Sequence, residues 1–323
     1  MPPARLYAGH PAAAAFAAEL AQRRGWDLAW IEQQLGRARF VPAVPRLIMP
    51  PPAGTAKDWA AYRARFVEPR RVQAGVRFWD DAAGWLERAE QQFGVPPAIV
   101  VGIVGVETFY GRIMGDYRVL DALATLSFDF PTGRRDRSAF FRGELEELLA
   151  WARRDGFDPA QLRGSYAGAW GLPQFMPGSI LRYGIDYDGD GRVDLAGSTA
   201  DVVGSVANYL ASFGWQRGMA THHAVAPPVD TRDRAALLAP DIVPSFTAAQ
   251  MLERGAELSP AGQAHAGLLA LVELQNGDAA PSFVAGTANF YAITRYNWSS
   301  YYAMAVIDLA AEVERTRQRR PGP

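Results

Sequence analysis

Glu107 is the only acidic or basic residue in the stretch from Gly94 to Gly111, Gly-Val-Pro-Pro-Ala-Ile-Val-Val-Gly-Ile-Val-Gly-Val-Glu-Thr-Phe-Tyr-Gly. Pro96 and Pro97 suit the first turn of a helix, where a missing N–H does no harm. At helical spacing Val100, Val104 and Glu107 share one face, with Ile103 beside them. Gly111 is the expected stop. The carboxyl group therefore belongs near the end of a buried helix. Burial disfavours the charged form and raises a carboxyl pKa. An acid kept protonated near neutral pH is the proton donor that cleavage of a glycosidic bond requires. Hydrolysis of that bond ordinarily needs a second carboxylate. Asp116, Asp121 and Asp129 are the candidates, and none has a comparable apolar context.

Four further clusters carry polar chemistry. Residues 164–177 read Gly-Ser-Tyr-Ala-Gly-Ala-Trp-Gly-Leu-Pro-Gln-Phe-Met-Pro. The glycines allow close backbone approach, so a binding loop leading into a helix is expected, with Ser165 and Gln174 as its hydrogen-bonding side chains. Residues 186–194 read Asp-Tyr-Asp-Gly-Asp-Gly-Arg-Val-Asp. Carboxylates at positions 1, 3 and 5 with glycine at 6 match the start of an EF-hand calcium loop, with Asp186, Asp188 and Asp190 as ligands and Arg192 giving its backbone carbonyl. Position 12 is Gly197, so the usual Glu is missing and Asp201 is the substitute. Such a calcium site is structural, because its ligands are spent closing the loop. Arg134, Arg135 and Arg137 form a cationic cluster able to hold carboxylates if it faces a ligand. The run Arg295-Tyr-Asn-Trp298 with Tyr301 and Tyr302 is dense in aromatic and amide groups.

The elements that must position these groups are mostly helical. Ala15, Phe16 and Leu20, then Leu28, Ile31 and Leu35, predict two short amphipathic helices over residues 11–36. Five prolines between positions 42 and 52 predict an extended connection over 41–56. Trp59, Tyr62 and Phe66 predict a helix with an aromatic stripe that packs in the core. One helix is expected over 72–93, another over 122–128 with Asp121 as its N-cap, and others over 138–154 and 202–213. Residues 214–286 change texture. Strands are expected at 223–229, 242–246 and 268–274, with turns at Asn276-Gly277 and around Pro281. A helix over 301–315 closes the chain, ahead of a frayed tail from Arg317. The expected fold class is mainly α (α+β), in four segments: a helical N-terminal domain (1–90), a core with the calcium loop (91–213), a small β-rich domain (214–286), and a return to the core with the last helix (287–323).

Composition excludes much else. The 323 residues hold enough chain for about two domains. A formal net charge of -1 gives no reason to expect nucleic acid as a partner. With no cysteine there is no disulfide, thiolate metal site or Cys nucleophile. The four histidines lack zinc-hydrolase spacing, and no serine elbow or phosphate loop occurs. No apolar run is long enough to span a bilayer. The N-terminus lacks a signal pattern, which suggests a cytosolic protein or a trimmed chain.

The sequence resembles the lytic murein transglycosylases of the membrane-bound B type. The matching stretches are Gly105-Val-Glu-Thr-Phe-Tyr-Gly111, Ser165 to Pro177, residues 186–194 with Gly204-Ser-Val-Ala-Asn-Tyr209, and Thr294-Arg-Tyr-Asn297 with Tyr302-Ala-Met-Ala-Val306. They fall in register from about Trp59 to the last helix. The resemblance implies a lysozyme-like core, with Glu107 as a single catalytic acid and base. It implies saccharide contacts from Ser165, Gln174, Phe175, Tyr209, Tyr296, Asn297 and Tyr302. It implies peptidoglycan glycan strands as substrate, room for other cell-wall enzymes as partners, calcium as the one cofactor with no organic group, and a periplasmic location. Pro131-Thr-Gly-Arg134-Arg135 is longer than the family's usual Pro-Arg-Arg, so the substrate-facing arginine is open between Arg134, Arg135 and Arg137. The implied reaction cuts the MurNAc–GlcNAc bond without water and leaves a 1,6-anhydro-MurNAc end. A hydrolytic muramidase and an inactive peptidoglycan-binding scaffold are the other readings.

Overall fold

Proline and capping residues decide where the helices begin. Pro97 sits at the first position of the helix Pro97–Thr108, and Asp27, Asp58 and Glu68 cap three others by accepting backbone N–H bonds. The structure is a computed structural model and describes residues 5–50, 52 and 56–319. The chain folds as two units that interleave in sequence, one of residues 1–53 and 111–202, the other of 54–110 and 203–323. Both boundaries beyond residue 100 fall inside the segment 91–213.

The first unit is built on the helix Val119–Phe128, whose residues through Ser127 are all buried. It packs against the long helix Ser138–Asp155. The helices Pro11–Arg24 and Leu28–Gly36 appear as expected. Arg23 and Arg24 of that region close on the buried Glu146 carboxylate, which they hold below the usual range against the opposing effect of burial. Asp121 does not cap its helix. It lies within the first turn, buried, and accepts the Arg39 N–H at 3.0 Å, while Thr125 accepts that of Val41 at 3.1 Å. These two bonds tie the segment after Gly36 to the central helix. The proline-rich connection includes a short helix, Ala43–Leu47. Pro42 and Pro45 fall at its start, where neither removes a helical hydrogen bond. Two short strands, β1 (Tyr117–Arg118) and β2 (Arg163–Gly164), pair antiparallel.

In the second unit Pro97–Thr108 packs against the helix Ser300–Gln318. Gly102 allows the approach: a Cβ there would lie 2.6 Å from the Val306 carbonyl oxygen. The expected single helix over 72–93 is two, Pro69–Asp81 and Ala83–Phe93, broken at Ala82, where ψ is 8°. Four strands, β3 (His222–Ala226), β4 (Glu257–Leu258), β5 (Ala270–Asn276) and β6 (Ala279–Gly286), form an antiparallel sheet in the order β4-β3-β6-β5. The turn at Asn276-Gly277 joins β5 to β6 as expected. Pro281, read as a turn residue, lies within β6, and residues 242–246 form no strand beyond a single bridge at Phe246. The helices Thr231–Leu238, Ala248–Glu253 and Pro260–Gln263 were not foreseen. Leu237, Met251, Leu258, Leu269 and Leu271 give this region its own core. The last helix runs on to Gln318, so Arg317 is helical and meets Asp80; residues 320–323 of the expected tail lie outside the described residues.

Candidate active site

Glu107 occupies the last turn of a helix that is buried at nearly every other position. The helix stops at Phe109, two residues before Gly111. Phe109 (φ 53°) and Tyr110 (φ 57°) are both left-handed, a conformation costly for residues with a Cβ. Packing holds them there. The Tyr110 ring fills space that Gly75 and Gly105 leave open: a Cβ at either would lie 2.4 Å from its hydroxyl oxygen. The Arg71 guanidinium lies 4.7 Å from the Phe109 ring centre. The turn that follows the acid is thus fixed from both sides.

Burial lifts the Glu107 pKa from its ordinary 4.5 to about 7, and a hydrogen bond from the Tyr302 hydroxyl, 2.5 Å from Oε1, opposes the rise. The negative end of the helix dipole also disfavours the anion. No cation and no second carboxylate contributes to that shift. Glu107 is not sealed, since part of its surface stays open. Tyr302, only 3 % exposed, comes from the first turn of Ser300–Gln318, where Ser299 caps its N–H. Its ring lies near-parallel to that of Tyr296, 6.4 Å away, and Tyr296 packs 4.5 Å from Tyr209. Tyr209 donates to the Arg295 carbonyl at 2.7 Å. Burial, and next the Glu107 charge, push the Tyr296 and Tyr302 hydroxyls well above the ordinary phenol range, so both stay protonated. The unit therefore gathers Glu107, Tyr209, Tyr296 and Tyr302, with Asn297 exposed beside them. Tyr62 was assigned to core packing. The Glu107 charge, after burial, raises its pKa too, so it belongs to the same environment. Its sequence signal, an aromatic at helical spacing, is that of any core residue.

Ser165, Gln174, Phe175, Arg134 and Arg135 lie in the other unit. Ser165 Oγ accepts the N–H groups of Ala167 and Ala169 and so shapes the loop. Gln174 is left-handed (φ 52°), and its amide nitrogen donates to the carbonyls of Met114 and Gly171 at 3.2 and 2.9 Å. Those two acceptors fix the amide orientation and leave its oxygen to accept. Phe175 is 2 % exposed and its backbone pairs with Trp170. Its ring is core, which removes it as a stacking surface for a sugar. Arg134 binds the Ile48 carbonyl and Arg137 lies over Phe140, while Arg135 is exposed. Of the alternative acids, Asp121 holds the Arg39 backbone, Asp129 binds Tyr7 and Arg5, and Asp116 is exposed.

Asp186, Asp188 and Asp190 each offer a carboxylate oxygen within 4.8 Å of the others. Asp186 accepts the N–H groups of Gly189, Asp190 and Gly191, which curls the loop around it. Gly189 and Gly191 take positive φ, as the sharp turn needs. Three hard oxygen donors suit a divalent cation such as calcium. Asp201 stands apart from this trio. It is fully buried, and its two oxygens accept the N–H groups of Tyr187 and Asp194 at 2.7 Å each, bracing both ends of the loop.

The sequence matches the family described as Transglycosylase SLT domain over residues 8–311. It is 38 % identical to the membrane-bound lytic murein transglycosylase B of Escherichia coli K12, across 96 % of this chain and 85 % of that protein. The fold is similar to the E. coli lytic transglycosylase Slt35 in complex with calcium, with a TM-score of 0.83 and 37 % identity over 98 % of this chain and 96 % of that one. It is similar also to the soluble lytic transglycosylase SltB1 of Pseudomonas aeruginosa, with a TM-score of 0.85 and 37 % identity over 95 % of this chain and all of that one. An apolar helix ending in a lone raised acid, held by a distant tyrosine, thus sits on a lysozyme-like framework, and the chain belongs to the SLT-domain transglycosylases.

Proposed function

We propose that Glu107 serves as both acid and base in a lytic transglycosylase that cuts the β-1,4 bond between MurNAc and GlcNAc of peptidoglycan without water. The observation that carries this is a single carboxyl group raised to about 7, hydrogen-bonded by Tyr302, with no partner carboxylate influencing it. A group poised near 7 donates and accepts a proton with similar ease. As acid, Glu107 protonates the bridging oxygen. The oxocarbenium-like centre that develops on MurNAc is stabilised by the sugar's own acetamido group. As base, Glu107 takes the proton of the C6 hydroxyl of the same sugar, which attacks C1. Tethering the nucleophile in the substrate replaces the carboxylate that would otherwise activate water. The Tyr302 bond favours the anion present between the two steps.

Tyr209, Tyr296 and Asn297 near the acid, and Ser165, Gln174 and Arg135 on the other unit, are proposed to bind glycan, with Gln174 accepting from an acetamido N–H or a hydroxyl. Asp186, Asp188, Asp190 and the Arg192 carbonyl are proposed to hold a structural Ca2+, joined by the lone pairs Asp201 keeps. The ion would neutralise converging carboxylates and take no part in bond cleavage. A periplasmic site of action follows from this substrate; among the described residues no helix is long and apolar enough to cross a membrane. The test is mass spectrometry of sacculi digested by the protein. Anhydro-muropeptides, each lighter by one water than the hydrolysed form, are expected. Reducing ends alone would make the protein a muramidase, and no cleavage would make it a scaffold.

A further inference from the structure

The β-rich region of the second unit borders an open cavity of about 1010 Å3 that the chemistry above does not use. Its polar lining includes Arg217, His223, His265 and Tyr291, its apolar lining Val243 and Leu268, and among the described residues no Asp or Glu side chain lines it. His223 stands on β3, and its ring centre lies 5.2 Å from that of His265. The Nε2 atoms of both rings are buried without a hydrogen-bond partner. Each of these atoms can hydrogen-bond a polar group that enters the cavity.

Glycine keeps the space open. A Cβ on Gly267 would lie 2.8 Å from His265 Nε2, and one on Gly262 would lie 3.1 Å from His223 Cβ. Arg217 supplies a fixed cation: its Nη2 donates to the Gln91 carbonyl at 2.7 Å. Burial and then the neighbouring His265 hold the His223 imidazole below its ordinary range, so the ring is neutral and recognises by hydrogen bonding. A guanidinium, two imidazoles and no acid select an anion with planar acceptor oxygens, which is a carboxylate. A transition metal would need further ligands, and among the described residues the lining has no third histidine, carboxylate or thiol to give. The apolar remainder suits small side chains on a peptide.

We propose that this cavity binds a carboxylate-bearing peptide, the stem carried by the murein strand, an assignment that rests on the function proposed above. The helix Ala288–Thr294 places Ala288 and Tyr291 on the cavity. Its continuation carries Arg295, whose Nη1 lies 3.2 Å from the Tyr291 hydroxyl and whose carbonyl receives Tyr209, and then Tyr296. Peptide and glycan recognition thereby share one rigid element.

Calorimetry on the full chain tests this, with the free murein tetrapeptide as probe and its carboxyl-amidated form as control. Binding of the acid peptide is expected, at least tenfold weaker for the amidated form and for His223→Ala and His265→Ala. His265→Gln, which retains a donor, should bind better than His265→Ala, and Gly267→Val should block the site. On peptide-bearing strands the histidine variants should raise KM about tenfold, with turnover of peptide-free glycan unchanged. Equal binding of acid and amidated peptides, no binding at all, or tight Zn2+ binding lost in His223→Ala without peptide binding would each overturn the proposal. A wild-type protein that releases no anhydro-muropeptides from sacculi would instead defeat the transglycosylase reading, while calorimetry still decides this site.

Discussion

Glu107 and the Asp186 loop use the same functional group in opposite ways. Around Glu107 the protein offers apolar helix, aromatic rings and one phenol, and the carboxyl is pushed up to about 7. Around Asp186 it offers three backbone N–H groups and two further carboxylates that only a cation would reconcile. Burial without a counter-charge makes a proton carrier; partly exposed carboxylates fed by N–H donors make a cation ligand. Glu146 gives a third outcome, since two arginines turn a buried carboxylate into a fixed ion pair. The function of a carboxylate here is set by which donors reach it.

The largest effect should come from removing the proton carrier. Glu107→Gln keeps the shape and hydrogen-bonding capacity, and turnover should fall by about 10²–10⁴-fold, the usual worth of general acid–base catalysis. Near-wild-type turnover would move attention to other groups. The same variant tests the electrostatics. The folded acid titrates at about 7 against an ordinary 4.5, so between those values the folded state binds more protons than the unfolded one. Wild-type stability should therefore fall as pH rises from about 4.5 to about 7 by this contribution, a slope that Glu107→Gln lacks when melting curves are compared across pH.

The loop should respond to metal instead. Calcium at 100 times its Kd should stabilise the wild type by about 2.7 kcal/mol, seen as a higher Tm. Asp190→Ala should lose most of that gain while leaving the pH dependence of turnover intact. A wild-type melting curve indifferent to calcium and to chelator would erase the contrast between the two regions.

Tyr302→Phe sharpens it further. A hydrogen bond to a charged group is worth about 1.5–3 kcal/mol, so turnover should drop by roughly 10- to 100-fold. Loss of the bond also moves the Glu107 pKa upward. The decline of kcat/KM with rising pH, expected near 7 in the wild type, should shift to higher pH. An unmoved profile would mean that the phenol only packs. Smaller still, Gln174→Ala and Asn297→Ala each remove a neutral hydrogen bond of about 1 kcal/mol, roughly five- to tenfold in kcat/KM on glycan, with Tm little changed for Asn297→Ala. Full activity in both would displace the proposed saccharide contacts.

The sequence by itself determined what is local. The lone acid in an apolar helical run and the Asp-x-Asp-x-Asp-Gly spacing are each readable within one short stretch of chain, and the four motifs are each local in the same way. Chain-neighbour geometry decides such features, because helix periodicity and turn chemistry act over a few residues. Tertiary structure alone decided the partners. Tyr302 meets Glu107 from 195 residues away, and no spacing announces that bond. The arginine cluster looked uniform, yet Arg134 is spent on Ile48 and Arg135 is left open. Phe175 sat inside a glycine-rich motif that has no period, so its burial could not be read. Asp121 resembled a cap until the Arg39 N–H reached it from an earlier strand of chain. Desolvation and hydrogen bonding depend on what surrounds a group in three dimensions, and here the surroundings come from segments interleaved across the whole chain.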